Sequence, residues 1–182
     1  MSSLNIEQGS GAVAVDLHFK DLNIYGFKNG RVPAVKYENA VNVVGTGGRI
    51  STPDGITLKG NYKIDGKVLV LPIKGEGKCE LSLANVTAEV EIVGKQLTKN
   101  GQIYVEVMDF KFTFNTTRLK SKFENLFNGN KELSAQMNVF LNENWNDILQ
   151  ELKPAVQDAF GSAFHEITNR IFAKVPFDSL FL

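Results

Sequence analysis

The spacing of the hydrophobic residues changes once along this 182-residue chain. Up to about residue 118 apolar and polar residues alternate, as they do in strands buried on one side. From about residue 131 to 173 apolar residues recur every three or four positions, which is typical of an amphipathic helix. The sequence therefore predicts an α+β protein with a β-rich part over residues 4–118 and a long C-terminal helix. No linker or repeat divides it, so residues 1–182 are expected to form a single domain.

Two of the predicted strands change their apolar face partway. The changes fall at residues 84–85 and at residues 108–109. A change of face inside a continuous strand implies one extra residue, a β-bulge, and bulges bend and twist a sheet. A third run, residues 57–73, is predicted as one strand of unusual length. These features predict an antiparallel sheet that is highly curved.

The helical segment offers an apolar stripe of about 40 residues, roughly 60 Å if straight. Pro154 lies inside the stripe and predicts a kink, because proline lacks a backbone donor. A helix of this length matches long strands, so the predicted architecture is a long helix wrapped by the curved sheet. The polar residues between the apolar ones are interpreted as a solvated face: Asn138, Glu143, Asn146, Asp147, Glu151, Asp158, Glu166 and Asn169.

Residues that could carry catalysis or bind metal are few. His18 shares a strand face with Asp16, but zinc needs three or four ligands. His165 is expected at the rim of the helix, and Cys79, the only cysteine, as a small buried apolar residue. No serine-hydrolase elbow, zinc-protease motif or phosphate loop is present. We therefore predict that the protein is not an enzyme and needs neither a metal nor a cofactor.

Charge and hydropathy restrict the classes of partner that the protein can have. The chain has 20 basic and 20 acidic residues, and nucleic-acid binding normally needs a basic face. No apolar stretch approaches the 18 or more residues of a membrane span. The glycine-rich residues 45–48 and 75–77 are interpreted as turns between strands. We expect no nucleic-acid partner and no transmembrane segment.

The 13 phenylalanines against 4 tyrosines and 1 tryptophan allow two interpretations. They can form an ordinary packed core, or they can line an apolar cavity between helix and sheet. Periodicity alone leaves both open. Tyr62, Tyr104 and Thr113 are candidates to orient a ligand by its polar group. The predicted cavity wall consists of Tyr62, Val68, Val70, Tyr104, Phe110, Phe112, Phe114, Met137, Phe140, Leu141, Trp145, Leu149, Phe160 and Phe164.

Several collinear stretches together resemble one family, the insect Takeout and juvenile-hormone-binding proteins. The likeness runs from about Leu4 to the C-terminus and is carried by residues 6–9, 19–26, 60–77, 123–130, 140–145 and 171–181. The resemblance implies a tubular lipid-binding fold. It also implies a secreted monomeric carrier that holds a juvenile-hormone-like terpenoid, a fatty acid or another lipid in an internal tunnel. Members of the family are linked to circadian, feeding and chemosensory physiology.

The chain departs from the family at its start. Members usually begin with a signal peptide and a segment with a disulfide-bonded cysteine pair, and this chain begins where that segment should end. The resemblance predicts an extracellular location, whereas a true start at Met1 predicts an intracellular one. The missing C-terminal disulfide favours the Takeout-like branch. Two alternatives stay open: a module that docks on a receptor or membrane through Leu126, Phe127 and residues 177–182, or a truncated product that binds nothing.

Overall fold

The computed structural model describes residues 3–26, 31–40 and 43–180. The strands within these residues are β1 Ser3–Gln8, β2 Val13–Tyr25, β3 Arg31–Ala40, β4 Val43–Thr52, β5 Ile56–Val68, β6 Leu71–Ala84, β7 Val86–Lys99, β8 Gln102–Asn115 and β9 Arg118–Phe123. A short 3-10 turn at Phe127–Gly129 leads to the helices α1 Lys131–Glu143, α2 Trp145–Phe172 and α3 Phe177–Leu180. The predicted division into a β part and a helical part is confirmed.

The strands form two antiparallel sheets that share a corner. Sheet 1 has the order β1-β2-β5-β6-β9, and sheet 2 has the order β3-β4-β7-β8. The chain crosses from one sheet to the other between β2 and β3, between β4 and β5, between β6 and β7, and between β8 and β9. The last three crossings lie side by side, because Thr52 pairs with Val86 and Thr87 pairs with Asn115. The curvature predicted from the sequence is therefore concentrated at this corner.

The two predicted bulges have different outcomes. Near Met108 the prediction is confirmed: Val93 pairs with Asp109 and Gly94 pairs with Val107, so Met108 is the extra residue. The bulge predicted at residues 84–85 is wrong. Asn85, with a φ of 47°, is the point at which the chain leaves sheet 1 for sheet 2. A sheet change moves the apolar residues to the other side of the strand just as a bulge does.

The long strand predicted over residues 57–73 is also wrong. It is a hairpin in which Val68 pairs with Leu71, and Leu69 and Val70 form the turn. Leu69 has a φ of 54°, a conformation that non-glycine residues rarely adopt. The turn contains no glycine, asparagine or proline, so the usual sequence signal of a hairpin is missing.

Neither glycine-rich segment is a turn, contrary to the prediction. Residues 45–48 lie inside β4 and residues 75–77 inside β6. A Cβ atom on Gly75 would lie 2.9 Å from Leu126 Cα, and one on Gly77 would lie 2.6 Å from the Glu124 carbonyl oxygen. These glycines therefore let the segment after β9 lie directly against the sheet.

The predicted long helix is interrupted once, at Asn144, where φ is −101° and ψ is 20°. α2 continues through Pro154, so the interruption does not fall at the proline. Apolar residues of both helices pack on the core of sheet 1, including Met137, Leu141 and Ile148. The predicted α+β architecture of a long helical segment against a large antiparallel sheet is confirmed, although the sheet does not close on itself.

α1 pairs with the edge of sheet 1 through two asparagine side chains. Asn138 accepts a hydrogen bond from the Phe123 amide at 2.8 Å and donates to the Phe123 carbonyl at 2.9 Å. Asn142 does the same with Ser121, at 2.9 and 2.7 Å. An amide side chain carries both a donor and an acceptor, so it can replace a neighbouring strand. β9 is the outermost strand of sheet 1, and α1 covers its otherwise unpaired edge.

α2 makes the equivalent contacts with the edge of sheet 2. The Val107 amide donates to Asn169 Oδ1 at 3.0 Å, and His165 Nε2 lies 2.9 Å from the Val107 carbonyl oxygen. Val107 precedes the bulged Met108 on β8, the outermost strand of this sheet. The solvated face predicted for the helix is therefore wrong at Asn138 and Asn169. Polarity alone did not distinguish a side chain in water from one that bonds a strand edge.

Replacing Asn138 by leucine is expected to destabilise the fold by about 2 kcal/mol or more. The substitution leaves the amide and carbonyl of buried Phe123 without partners, and each such group costs roughly 1–3 kcal/mol. The free energy of unfolding in urea measures the effect. Asn146→Leu is the matched control, because Asn146 is exposed on α2, and it should stay within about 0.5 kcal/mol. Equal losses in the two variants would contradict the assigned role of Asn138.

Candidate ligand cavity

A cavity of about 590 Å³ lies between the helical segment and the inner faces of both sheets. Its volume falls within the roughly 300–1,000 Å³ of small-molecule sites. Along β6 and β7 the wall extends from Ile73 to Ile92, across the corner at Asn85. The cavity is therefore elongated and follows the bend of the sheets.

Phenylalanines dominate the part of the cavity beside sheet 2. The ring of Phe112 on β8 makes an edge contact with Phe164 on α2, with centroids 5.3 Å apart, and lies 6.0 Å from Phe160. Phe110 lies 6.1 Å from Phe164. Rings from strand and helix thus pack on one another and also line the cavity. The phenylalanine excess was open to two interpretations, core packing and a cavity wall. Both apply to these same residues.

Small residues form the part of this wall that lies on β4 and β7. Gly48 and Ala88 lie on β4 and β7 among the lining residues. Gly48 pairs with Val90, which pairs with Phe112, so the three share one row across sheet 2. Because residues in one row point to the same face, Gly48 leaves free the space that a larger side chain would fill.

The lining is almost wholly apolar. Among the described residues it contains no charged side chain, and its only hydroxyls belong to Thr46, Ser121 and Thr168. An ionised group inside such a site would lose its hydration without gaining a counter-charge. The cavity can therefore hold an apolar molecule with a small number of neutral polar atoms.

The structure divides the predicted wall into two groups. The residues that line the cavity are Val68, Phe110, Phe112, Phe114, Leu141, Trp145, Leu149, Phe160 and Phe164. Those placed elsewhere are Tyr62, Val70, Tyr104, Met137 and Phe140.

Each residue outside the cavity has a clear position. Val70 is 85% exposed in the β5–β6 turn. The Tyr104 hydroxyl is exposed and donates to the Gln102 side chain at 3.1 Å. Met137 is buried in the core of sheet 1, and Phe140 packs against that core. Thr113, a candidate for orienting a ligand, is exposed on the opposite face of β8 from Phe112.

Sequence reasoning missed much of the lining. The residues it did not single out include Thr46, Gly48, Ile50, Ala88, Ser121, Leu152, Ile167 and Thr168. The alternation of Thr46, Gly48 and Ile50 indicates a strand with one face towards the cavity. The glycines of this segment led instead to its interpretation as a turn. Thr168 adjoins the apolar stripe of α2, where a small hydroxyl residue carries little information.

Tyr62 holds the segment that follows β9. Its hydroxyl donates to the Glu124 carbonyl oxygen at 2.7 Å, and its ring meets Phe123 edge-on at 4.8 Å. Burial raises the pKa of Tyr62 to about 12. Cys79 is buried beside it, with its thiol 3.6 Å from the Gly60 carbonyl oxygen, and burial raises the pKa of this thiol to about 11. The prediction of a buried, apolar Cys79 is confirmed.

The raised pKa values of Tyr62 and Cys79 predict a loss of stability at alkaline pH. In the unfolded chain the thiol ionises near pH 9.0 and the phenol near pH 10.0, whereas both stay protonated in the fold to about pH 11 and 12. The free energy of unfolding should therefore fall as pH rises through these intervals and be unaffected by them below about pH 9.

Urea unfolding between about pH 8 and pH 12 measures this dependence. Tyr62→Phe should flatten the decline above about pH 10, and Cys79→Ala should flatten it between about pH 9 and 11. Tyr62→Phe also removes the bond to Glu124, at a cost of about 1 kcal/mol at every pH. An unchanged slope in both variants would show that other groups control alkaline unfolding.

No group of three or more His, Cys, Asp or Glu side chains comes together among those that the structure describes. His18 Nε2 lies 3.2 Å from Asp16 Oδ1 as an isolated surface pair. No helix in the described ranges is both long and apolar enough to cross a bilayer.

Comparison with known proteins agrees with this architecture. The family model described as haemolymph juvenile hormone binding protein (JHBP) matches residues 1–182. This chain belongs to the JHBP/Takeout family. The crystal structure of Takeout 1 from Epiphyas postvittana matches with a TM-score of 0.77 and 26% identity, over 97% of this chain and 79% of that one.

Two sequence relatives come from Drosophila. The circadian clock-controlled protein daywake of Drosophila melanogaster is 30% identical over 130 residues, covering 69% of this chain and 49% of its own. Daywake of Drosophila yakuba is 29% identical over 136 residues, covering 72% of this chain and 51% of its own. The chain thus spans about half the length of these relatives. The family description is that of a binding protein.

Proposed function

We propose that this JHBP/Takeout family member is a non-enzymatic carrier that holds an elongated hydrophobic small molecule in the cavity between α2 and the two sheets. The observation that carries the proposal is the cavity of about 590 Å³, whose described lining has no charged side chain. Removing apolar surface from water contributes about 25 cal/mol per Å². A long lipid that buries several hundred Å² would bind in the micromolar range or better after the costs of association.

The ligand class follows from the family and the shape of the cavity. A juvenile-hormone-like terpenoid, a fatty-acid derivative or a similar lipid is long, narrow and apolar, as the cavity is. We propose that the carrier works as a monomer. We also propose that it acts outside the cell, as the haemolymph description of the family suggests. A role in circadian, feeding or chemosensory physiology is the corresponding proposal for the organism. The clock-controlled relatives support its circadian part.

Trp145 provides a direct test of binding. It is the only tryptophan and lines the cavity, so an aliphatic or terpenoid ligand should change its fluorescence. We expect saturable titration with a terpenoid ester and with a long-chain alcohol. Native mass spectrometry of the protein purified from insect cells should show a bound lipid. Absence of both signals would overturn the carrier function.

Filling the cavity at Ala88 is expected to weaken ligand binding by about tenfold or more. Ala88 lines the cavity opposite Phe114, its partner on β8, and Ala88→Phe places a ring in the ligand space. Trp145 fluorescence titration with the long-chain alcohol measures the affinity. Thr113→Phe is the matched control, because Thr113 is exposed on the outer face of the same sheet. The affinity of this variant for the long-chain alcohol should be unchanged. Equal affinity in both variants would place the ligand elsewhere.

Exposed apolar side chains favour a second candidate, a module that docks on a membrane to exchange lipid. Met108 is 60% exposed, and Ile167 and Ile171, one turn apart on α2, are 47% and 49% exposed. Ile167 also lines the cavity, so this surface adjoins one of its ends. Co-flotation with lipid vesicles that is lost in Ile171→Ser, without loss of ligand binding, would support this docking role.

A further inference from the structure

We infer that the cavity selects neutral ligands over ionised ones and holds their polar end between Thr46 and Thr168. The inference rests on the proposed carrier function and deepens it. It names the chemical class of the ligand and its direction in the cavity. Two observations carry it: the position of the three hydroxyls in the lining, and the absence of a counter-charge among the described residues around them.

Thr46 and Thr168 lie at the same end of the cavity. Thr46 on β4 pairs with Ile92, and Ile92 pairs with Phe110. The Phe110 ring lies 6.1 Å from Phe164, and Thr168 follows Phe164 by one turn of α2. Residues four apart on a helix share a face. The strand hydroxyl and the helix hydroxyl therefore border the same space.

Both hydroxyls are available to a ligand. Neither the Thr46 nor the Thr168 hydroxyl makes a hydrogen bond to another residue in the part of the chain that the structure describes. A hydroxyl can donate to an ester, ketone or ether oxygen and can accept from an alcohol. The pair can thus fix a neutral oxygen-containing group, which a purely hydrocarbon wall cannot do.

At the far end of the cavity the described lining residues offer a ligand hydrocarbon alone. The lining residues Ile64, Val68 and Ile73 form that end in sheet 1. Ser121, the third hydroxyl, lies on β9 across the corner from sheet 2. A ligand with one polar end and a long apolar tail therefore matches the cavity in one direction, with its head at Thr46 and Thr168.

Charged groups close to the threonine end are engaged or exposed. His165 Nε2 is bonded to the Val107 carbonyl oxygen. Arg170 pairs with Glu166 at 3.5 Å on the solvent side of α2, where both side chains are more than 70% exposed. None of these residues lines the cavity. A buried carboxylate would find no cation among the described lining residues to replace its water, which disfavours ionised fatty acids.

The ligand class is tested with three molecules of equal chain length: a fatty acid, its methyl ester and the corresponding alcohol. Binding to the full chain is measured by Trp145 fluorescence near neutral pH, below the concentration at which the ligands aggregate. We expect the ester and the alcohol to bind about tenfold or more tightly than the ionised acid. Equal or tighter binding of the acid would overturn the selection of neutral ligands and leave the carrier function standing. Failure of all three to bind would overturn the carrier function and this inference together.

The position of the polar end is tested with variants that remove hydroxyls and keep volume. Thr46→Val combined with Thr168→Val should weaken ester and alcohol binding by about fivefold or more, and binding of an uncharged apolar dye by less than about twofold. Thr113→Val, on the exposed outer face of β8 and away from the cavity, is the matched control and should leave all three affinities within about twofold. A larger loss in Ser121→Ala than in the double threonine variant would place the polar end in sheet 1 and overturn the assignment. Thermal melting of each variant confirms that it folds.

Discussion

The fold depends on helical side chains that hydrogen-bond the outer edges of the two sheets. Asn138 and Asn142 pair with the backbone of β9, and Asn169 and His165 pair with Val107 on β8. A sheet edge left unpaired against a protein interior would lose the hydration of its amides and carbonyls. The helices supply these bonds in place of a further strand. The sheets can therefore curl around the helical segment without closing into a barrel.

This arrangement explains how a cavity survives inside a small protein. Hydrogen bonds at the edges of the sheets hold the helix at a fixed distance from the strands. Because of this fixed distance, the helix and the sheets do not pack together closely enough to fill the cavity. In sheet 2, Gly48 and Ala88 leave space beside the ring of Phe112, which packs edge-on against Phe164 of α2. The glycines of β6 have a separate role, since they admit the segment that Tyr62 holds in place.

Much of the architecture could be predicted because it depends on local periodicity. Alternation and the three-to-four spacing assigned strands and helix, and the change of face at Met108 located a bulge that the register confirms. The same rule failed at Asn85, where the chain changes sheets, and at Leu69, where a hairpin turn lacks turn residues. In the cavity, periodicity identified Phe110, Phe112 and Phe164 but also included Val70, which lies in that unforeseen turn.

The sequence by itself determined which residues are apolar on each face, the order of strands before helix, and the family to which the chain belongs. Only the tertiary structure decided which polar residues of the helix bond a strand edge, where the sheets meet, and that a space remains between the phenylalanines and the small residues of β4 and β7. The reason is physical. Local spacing fixes the direction of a side chain, but empty volume and edge pairing depend on distances between residues far apart in the chain.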